Sequence, residues 1–159
     1  MKIVSTVGDV DKVIKELAEY NRRLEEKAQM LGERLAALGA TKASLGFARA
    51  ITDNNDVEIT VERDGNNFII RAEGEEVAFI EFGAGITYGY GHPQAAEFGT
   101  GPGTFPNGKG HWNDPKGWWY TDENGQRKHT YGTPPSMPMY NTMRELEQQI
   151  EQIAREVFS

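Results

Sequence analysis

Apolar residues recur every seven positions at Val10, Leu17, Leu24, Leu31 and Leu38, with Val13, Ile14, Ala28 and Leu35 on the same side. That spacing predicts one long amphipathic helix in the first third of the chain. Asp9 or Asp11 is placed to cap it and Gly39 to stop it, which makes a rod of roughly 45 Å. A rod of this length exceeds the usual helix of a globular domain. Its stripe therefore either packs on the chain's own sheet or meets another helix or a second copy. Residues 42–52 predict a second, short helix with Leu45, Ala48 and Ile51 on one side.

The period then changes. Val57, Ile59 and Val61 alternate with Glu58, Thr60 and Glu62, residues 63–67 turn the chain, and Phe68, Ile70 and Ala72 return it as an antiparallel partner. The run from Val77 to Phe82 is more continuously apolar and predicts a third, more central strand. Further on, two β-prone runs flank Asn124-Gly125, a strong hairpin signal. Residues 133–138 form a stiff, extended link, and Pro138 suits the first turn of a closing helix. Met139, Met143, Leu146, Ile150, Ile153 and Val157 give that helix its apolar stripe. The expected architecture is a single α+β domain: 1–54 helical, 55–82 a small antiparallel sheet, 83–132 a long Gly/aromatic loop with a hairpin, and 133–159 a C-terminal amphipathic helix.

Composition sharpens one part of this picture. Twelve of the 18 Gly, all three Trp and all three His lie between Phe79 and Gly132, a stretch without a sustained period through its middle. Such a segment reads as a long structured loop, and long loops in compact domains usually contact something else. The chain has 159 residues, enough for one domain with its own core, and no Cys, which excludes disulfides and thiolate sites. The opening residues lack the apolar run of a signal peptide and no stretch approaches a membrane span, so a soluble protein made in a cytoplasm is expected. The net charge of -7 divides as -5 over residues 1–82, zero over 83–132 and -2 over 133–159. An acidic scaffold around a neutral loop argues against gripping nucleic acid and suits protein contact.

Three chemical constellations fall on this stretch. Gly103 to Lys109 has the spacing of a phosphate-binding loop, but Gly110 stands where a Ser or Thr should bind magnesium, a Pro sits inside, and no apolar helix follows. His92, His111 and His129 with Asp114 show no ligand spacing of a metal site, and His92-Pro93 and His129 read as turn and surface residues. Glu81 and Glu97, each before Phe-Gly and near Trp and Tyr, match the carboxylate pair of a glycosidase beside an aromatic sugar platform. A carboxylate before Phe-Gly also commonly accepts backbone hydrogen bonds in a tight turn. No catalytic, metal or cofactor site is expected, with the glycan hydrolase or carbohydrate-binding reading as the alternative.

The order Phe79-Ile-Glu-Phe-Gly-Ala-Gly85, His92-Pro93, Gly117-Trp118 and Gly132-Thr-Pro-Pro-Ser-Met-Pro-Met139-Tyr140 before an amphipathic helix resembles the tail-component family of long, non-contractile-tailed bacteriophages. The resemblance spans most of the chain and is most specific from residue 77 to 145. Ala84 stands where that family usually has Thr, and Met139 where it has Phe. The resemblance implies a non-enzymatic virion protein of the head–tail junction or proximal tail, a connector or tail-completion component. It further implies a homo-oligomeric ring around the DNA channel and other neck and tail proteins as partners, without specific nucleic-acid binding, membrane or cofactor. Glu81, Phe82, Gly83 and Gly85 would set the exit of the loop. Trp112, Trp118, Trp119 and Tyr120 would anchor a partner or cover the sheet of their own subunit.

Overall fold

The computed structural model describes residues 7–50, 56–86, 91–100, 114–122 and 124–159. One helix, α1 (Val7–Ala48), runs for 42 residues with Asp9 in its first turn. The expected stop at Gly39 and the separate helix over 42–52 are both corrected by it, and residues 51–52 lie outside the described residues. The physical reason is close packing. Ala36, Gly39, Ala43 and Gly46 recur at helical spacing and form a seam of small residues for the closing helix, α3 (Pro138–Phe158). A side chain at Gly46 would reach within 2.7 Å of the Pro138 ring, and one at Gly39 within 2.9 Å of Leu146. Gly39 thus belongs to a contact face, and Phe47, fully buried, closes the end of the seam.

The two helices run antiparallel. Gly46 meets Pro138, Lys42 pairs with Glu145, Arg34 approaches Glu156 at 3.8 Å, and the Lys27 ammonium donates to the Ser159 carbonyl at 3.1 Å. These contacts are largely exposed and add little stability, but they fix the register. On α3 the buried positions are Pro138, Thr142 and Val157, with Leu146 and Ile153 half-buried. Met143 and Ile150, expected in the apolar stripe, are instead exposed. The face turned to α1 follows Thr142, whose small side chain fits against the glycine seam better than Met143 would.

Strands β1 (Glu58–Asp64) and β2 (Asn67–Glu73) form the first hairpin, in register from Glu58↔Glu73 to Asp64↔Asn67. Phe68 and Ile70 lie against α1 at Gly32 and Gly39, while Asn67, Ile69 and Arg71 point outward. On that outer side Arg71 donates to both oxygens of Glu62, at 3.0 and 2.7 Å, and this holds the Glu62 carboxyl below its usual range.

The third strand expected over 77–82 is a helix, α2 (Val77–Phe82). A short, continuous apolar run does not distinguish the two by periodicity. The backbone bonds decide it: the Ile80 and Gly83 amides donate to the Glu76 and Phe79 carbonyls four residues back, at 2.9 Å each, and the buried Ile80 and Glu81 share one helical face. The Asp56 carboxylate accepts the Glu75 amide at 2.9 Å just before α2 begins.

The second hairpin is present as β3 (Trp118–Thr121) and β4 (Arg127–Thr130), a sheet of its own rather than an extension of the first. Its connection is wider than the two-residue turn that Asn124-Gly125 suggests, because Thr121 pairs with Arg127. Asp122 organises it. Its carboxylate accepts the Gln126 amide at 2.8 Å and the Asn124 amide at 3.0 Å, and Lys128 approaches at 3.1 Å. Among the described residues no helix is long and apolar enough to cross a membrane.

Candidate functional site

α3 begins without a cap of its own. Met137, at the N-cap position, lies in left-handed backbone (φ 55°) and offers no side-chain acceptor, and Pro138 has no N–H. The next two amides, of Met139 and Tyr140, therefore need an acceptor from elsewhere. Glu81 supplies it. Its Oε2 accepts from Met139 at 2.8 Å and its Oε1 from Tyr140 at 2.9 Å. The carboxylate also complements the positive end of the helix dipole.

Glu81 is only 5% exposed, and His92, 6% exposed, covers it. His92 Nε2 lies 3.0 Å from Glu81 Oε1, and its Nδ1 accepts the Gln94 amide at 3.1 Å. The ring proton is thus on Nε2, donated to Glu81. The imidazole is held between Phe82 and Tyr140, with centroids 4.5 and 5.4 Å away. Phe98 stacks beyond Phe82 at 5.4 Å, and the turn that carries it closes where Thr100 N–H and Oγ1 both donate to the Ala95 carbonyl. His92 does open a turn, its carbonyl accepting the Ala95 amide at 3.2 Å, but its ring is buried in the core, which corrects its reading as a surface residue.

Two backbone links complete the junction. Ala84 and Thr133 exchange hydrogen bonds of 2.8 and 3.0 Å, and Ser136 N–H donates to the Ile80 carbonyl at 2.8 Å. Gly83 ends α2 at φ 74°, where a side chain would stand 2.6 Å from the Thr133 carbonyl. Gly132, at φ 107°, lies so close to the Ala84 carbonyl that no side chain fits there. Both positions require glycine for backbone conformation and for space. Gly85 follows, with the Trp118 indole 3.1 Å from where a Cβ would sit.

The junction gathers four of the expected residues, Glu81, Phe82, Gly83 and Gly85, and Trp118 joins them through Gly85. Trp119 and Tyr120 lie on the second hairpin, paired across it with His129 and Lys128. Trp119, 59% exposed, meets His129 edge-on at 5.0 Å, and His129 meets Tyr131 at 4.9 Å. The Arg127 guanidinium lies over the Trp119 ring at 5.5 Å. This exposed aromatic ridge on the second hairpin is a candidate contact surface. The sequence patterns miss His129, Tyr131 and Arg127 as contact residues, although strand alternation from Trp119 across the Trp119↔His129 pair points to two of them.

Trp112, His111 and the Gly103–Lys109 segment lie outside the described residues. Glu97 is exposed in the turn after His92 and takes a long contact of 3.4 Å from Gln94. Each oxygen of Glu81 is already engaged, so the carboxylate works as a hydrogen-bond acceptor for the fold. Among the described residues no cluster of three or more His, Asp or Glu is arranged to hold a metal. Comparison with protein-family models, with curated proteins and with solved structures finds no match.

Proposed function

We propose that this chain is a structural protein of a bacteriophage virion at the head–tail junction or proximal tail, acting by subunit packing in a ring and catalysing no reaction. Its partners would be neighbouring copies and other neck and tail proteins. One observation carries the reading beyond the resemblance. Two of the stretches on which the resemblance rests, Phe79–Gly85 and Gly132–Tyr140, meet through Glu81 with Met139 and Tyr140, Ala84 with Thr133, and Ile80 with Ser136. Residues so distinctive in sequence are committed to fixing where a helix starts and where a hairpin leaves. That is what a protein needs if its output is the placement of contact surfaces. The Trp119–His129–Tyr131 ridge then offers the kind of aromatic surface that anchors protein interfaces. Quantitative mass spectrometry of gradient-purified particles from the host that encodes the chain should find it at a fixed ratio to the portal protein. Its absence from complete particles would overturn the proposal.

The same ridge favours one second reading, a carbohydrate-binding module in which Trp119 and Tyr131 stack on a sugar. In its hydrolase form that reading would need Glu81 as acid or nucleophile, and Glu81 is engaged with Met139, Tyr140 and His92. Calorimetric titration with soluble host-wall oligosaccharides separates the two. Saturable binding that Trp119→Ala abolishes would favour the module, and no heat would favour the virion protein.

A further inference from the structure

The N-terminal half of α1 extends past the end of α3, because Ser159 reaches α1 only at Lys27. Before that point the helix carries Val10, Val13, Ile14, Leu17, Tyr20 and Leu24 on one side, each between 44 and 57% exposed. We infer that this face pairs with the same face of a second copy as a parallel, two-stranded coiled coil in register at Asn21.

Three observations on this helix point to a second copy. The first is the pattern. With Val10, Leu17, Leu24 and Leu31 at the d positions of a heptad, the a positions are Ile14, Asn21 and Ala28, and no charged residue occupies either position from Val10 to Leu38. A β-branched residue at a, Leu at d and one buried Asn at a is the pattern of parallel dimers, in which the Asn side chains bond to each other across the axis. An antiparallel pair would set Asn21 against a Leu and leave its amide unsatisfied.

The second observation is electrostatic. Arg22 pairs with Glu19 and Glu26 at 2.6 Å each, Lys12 with Glu16 at 3.9 Å and Arg23 with Glu19 at 3.9 Å. All of these residues fall at heptad positions b, c and f, which face away from the a/d seam. The charges are compensated within one helix on its outer side, so two copies approach along the seam without like-charge repulsion.

The third is area. The six exposed side chains present on the order of 500 Å² per copy, so a pair removes about 1,000 Å² from water, the lower bound of a specific interface. A seam of this size suits a reversible dimer. The inference does not depend on the virion reading, since the seam belongs to α1 alone, and a monomeric chain would leave that reading standing.

Sedimentation equilibrium of the full chain from low micromolar to near-millimolar concentration tests it. A monomer–dimer equilibrium is expected, abolished by Leu17→Lys, which sits on an exposed face and leaves the fold intact by circular dichroism. Because the chain has no Cys, Leu17→Cys should form a disulfide-linked dimer on mild oxidation, while Glu19→Cys on the outer face should not. A chain that stays monomeric throughout, a trimer, a dimer unaffected by Leu17→Lys, or equal cross-linking at positions 17 and 19 would each overturn the inference.

Discussion

Glu81 and Tyr140 stand 59 positions apart, and the carboxylate of the first accepts the backbone N–H of the second at 2.9 Å inside a junction closed by His92. A helix whose N-cap residue is Met thus borrows its cap from a distant helix. The start of α3, the seat of the His92 turn and the exit of α2 are thereby fixed together. Removing the acceptor leaves the Met139 and Tyr140 amides and the His92 Nε2–H buried without a partner. Glu81→Ala is expected to cost about 2–4 kcal/mol, and Glu81→Gln, which keeps one acceptor oxygen, about 1–2 kcal/mol. Urea unfolding followed by circular dichroism measures both, and an alanine variant as stable as the parent would remove Glu81 from its role as cap.

Two glycines with left-handed backbone separate conformational strain from crowding. Gly99, at φ 65°, has nothing within 4 Å of a Cβ, so Gly99→Ala should cost about 1 kcal/mol from backbone strain alone. Gly83 adds a collision with the Thr133 carbonyl, a backbone atom that cannot swing aside, and Gly83→Ala should cost about 3 kcal/mol. Equal midpoints for the two variants in the same unfolding series would mean that Ala84 and Thr133 are not held in contact.

The second hairpin should open in acid. The Gln126 amide, the Lys128 ammonium and the Asn124 amide together hold the Asp122 carboxyl below its ordinary range, against the opposing effect of desolvation. A carboxyl lowered in the folded state stabilises the fold fully above its unfolded pKa, and that contribution is lost as pH falls through the folded value. The protection of the Thr130 and Trp118 amides, measured by NMR as exchange relative to the intrinsic rate at each pH, should therefore fall below the normal carboxylate range. Asp122→Asn should show the reduced protection at neutral pH with little further change in acid. Protection independent of pH in the parent protein would contradict this.

Neighbouring tryptophans on one strand should behave in opposite ways. Trp118 lies half-buried against Gly85, and Trp118→Ala should lower stability by about 2 kcal/mol. Trp119 is exposed, and Trp119→Ala should change stability by less than about 0.5 kcal/mol while failing to restore infectious particles in a complementation assay. A Trp119→Ala protein that complements fully would move the contact surface away from the hairpin ridge.

Periodicity makes much of this fold legible in the sequence. Asn124-Gly125 between two β-prone runs marks the second hairpin, and the α3 pattern and the β1–β2 alternation each carry a clear period. Val77–Phe82 does not, because six mostly apolar residues fit a buried strand as well as a helical turn and a half. Gly39 misleads for a different reason, since a glycine that ends a helix and one that admits a neighbouring helix look alike without the partner. The junction itself is half visible. Met137-Pro138 lacks any Ser, Thr, Asp or Asn to cap α3, which signals a remote acceptor, but nothing in the sequence selects Glu81 from the other carboxylates. His92 stays hidden because a buried His before Pro leaves no local pattern; its partners are a carboxylate 11 residues back and an aromatic ring 48 residues on.

Electron microscopy of particles from a host strain deleted for this gene tests the virion assignment most directly. A structural role at the head–tail junction or proximal tail predicts separate filled heads and free or unfinished tails. The parent gene supplied in trans should restore joined particles, and Trp119→Ala should not. Normal yields of complete, infectious particles from the deletion strain would contradict the assignment.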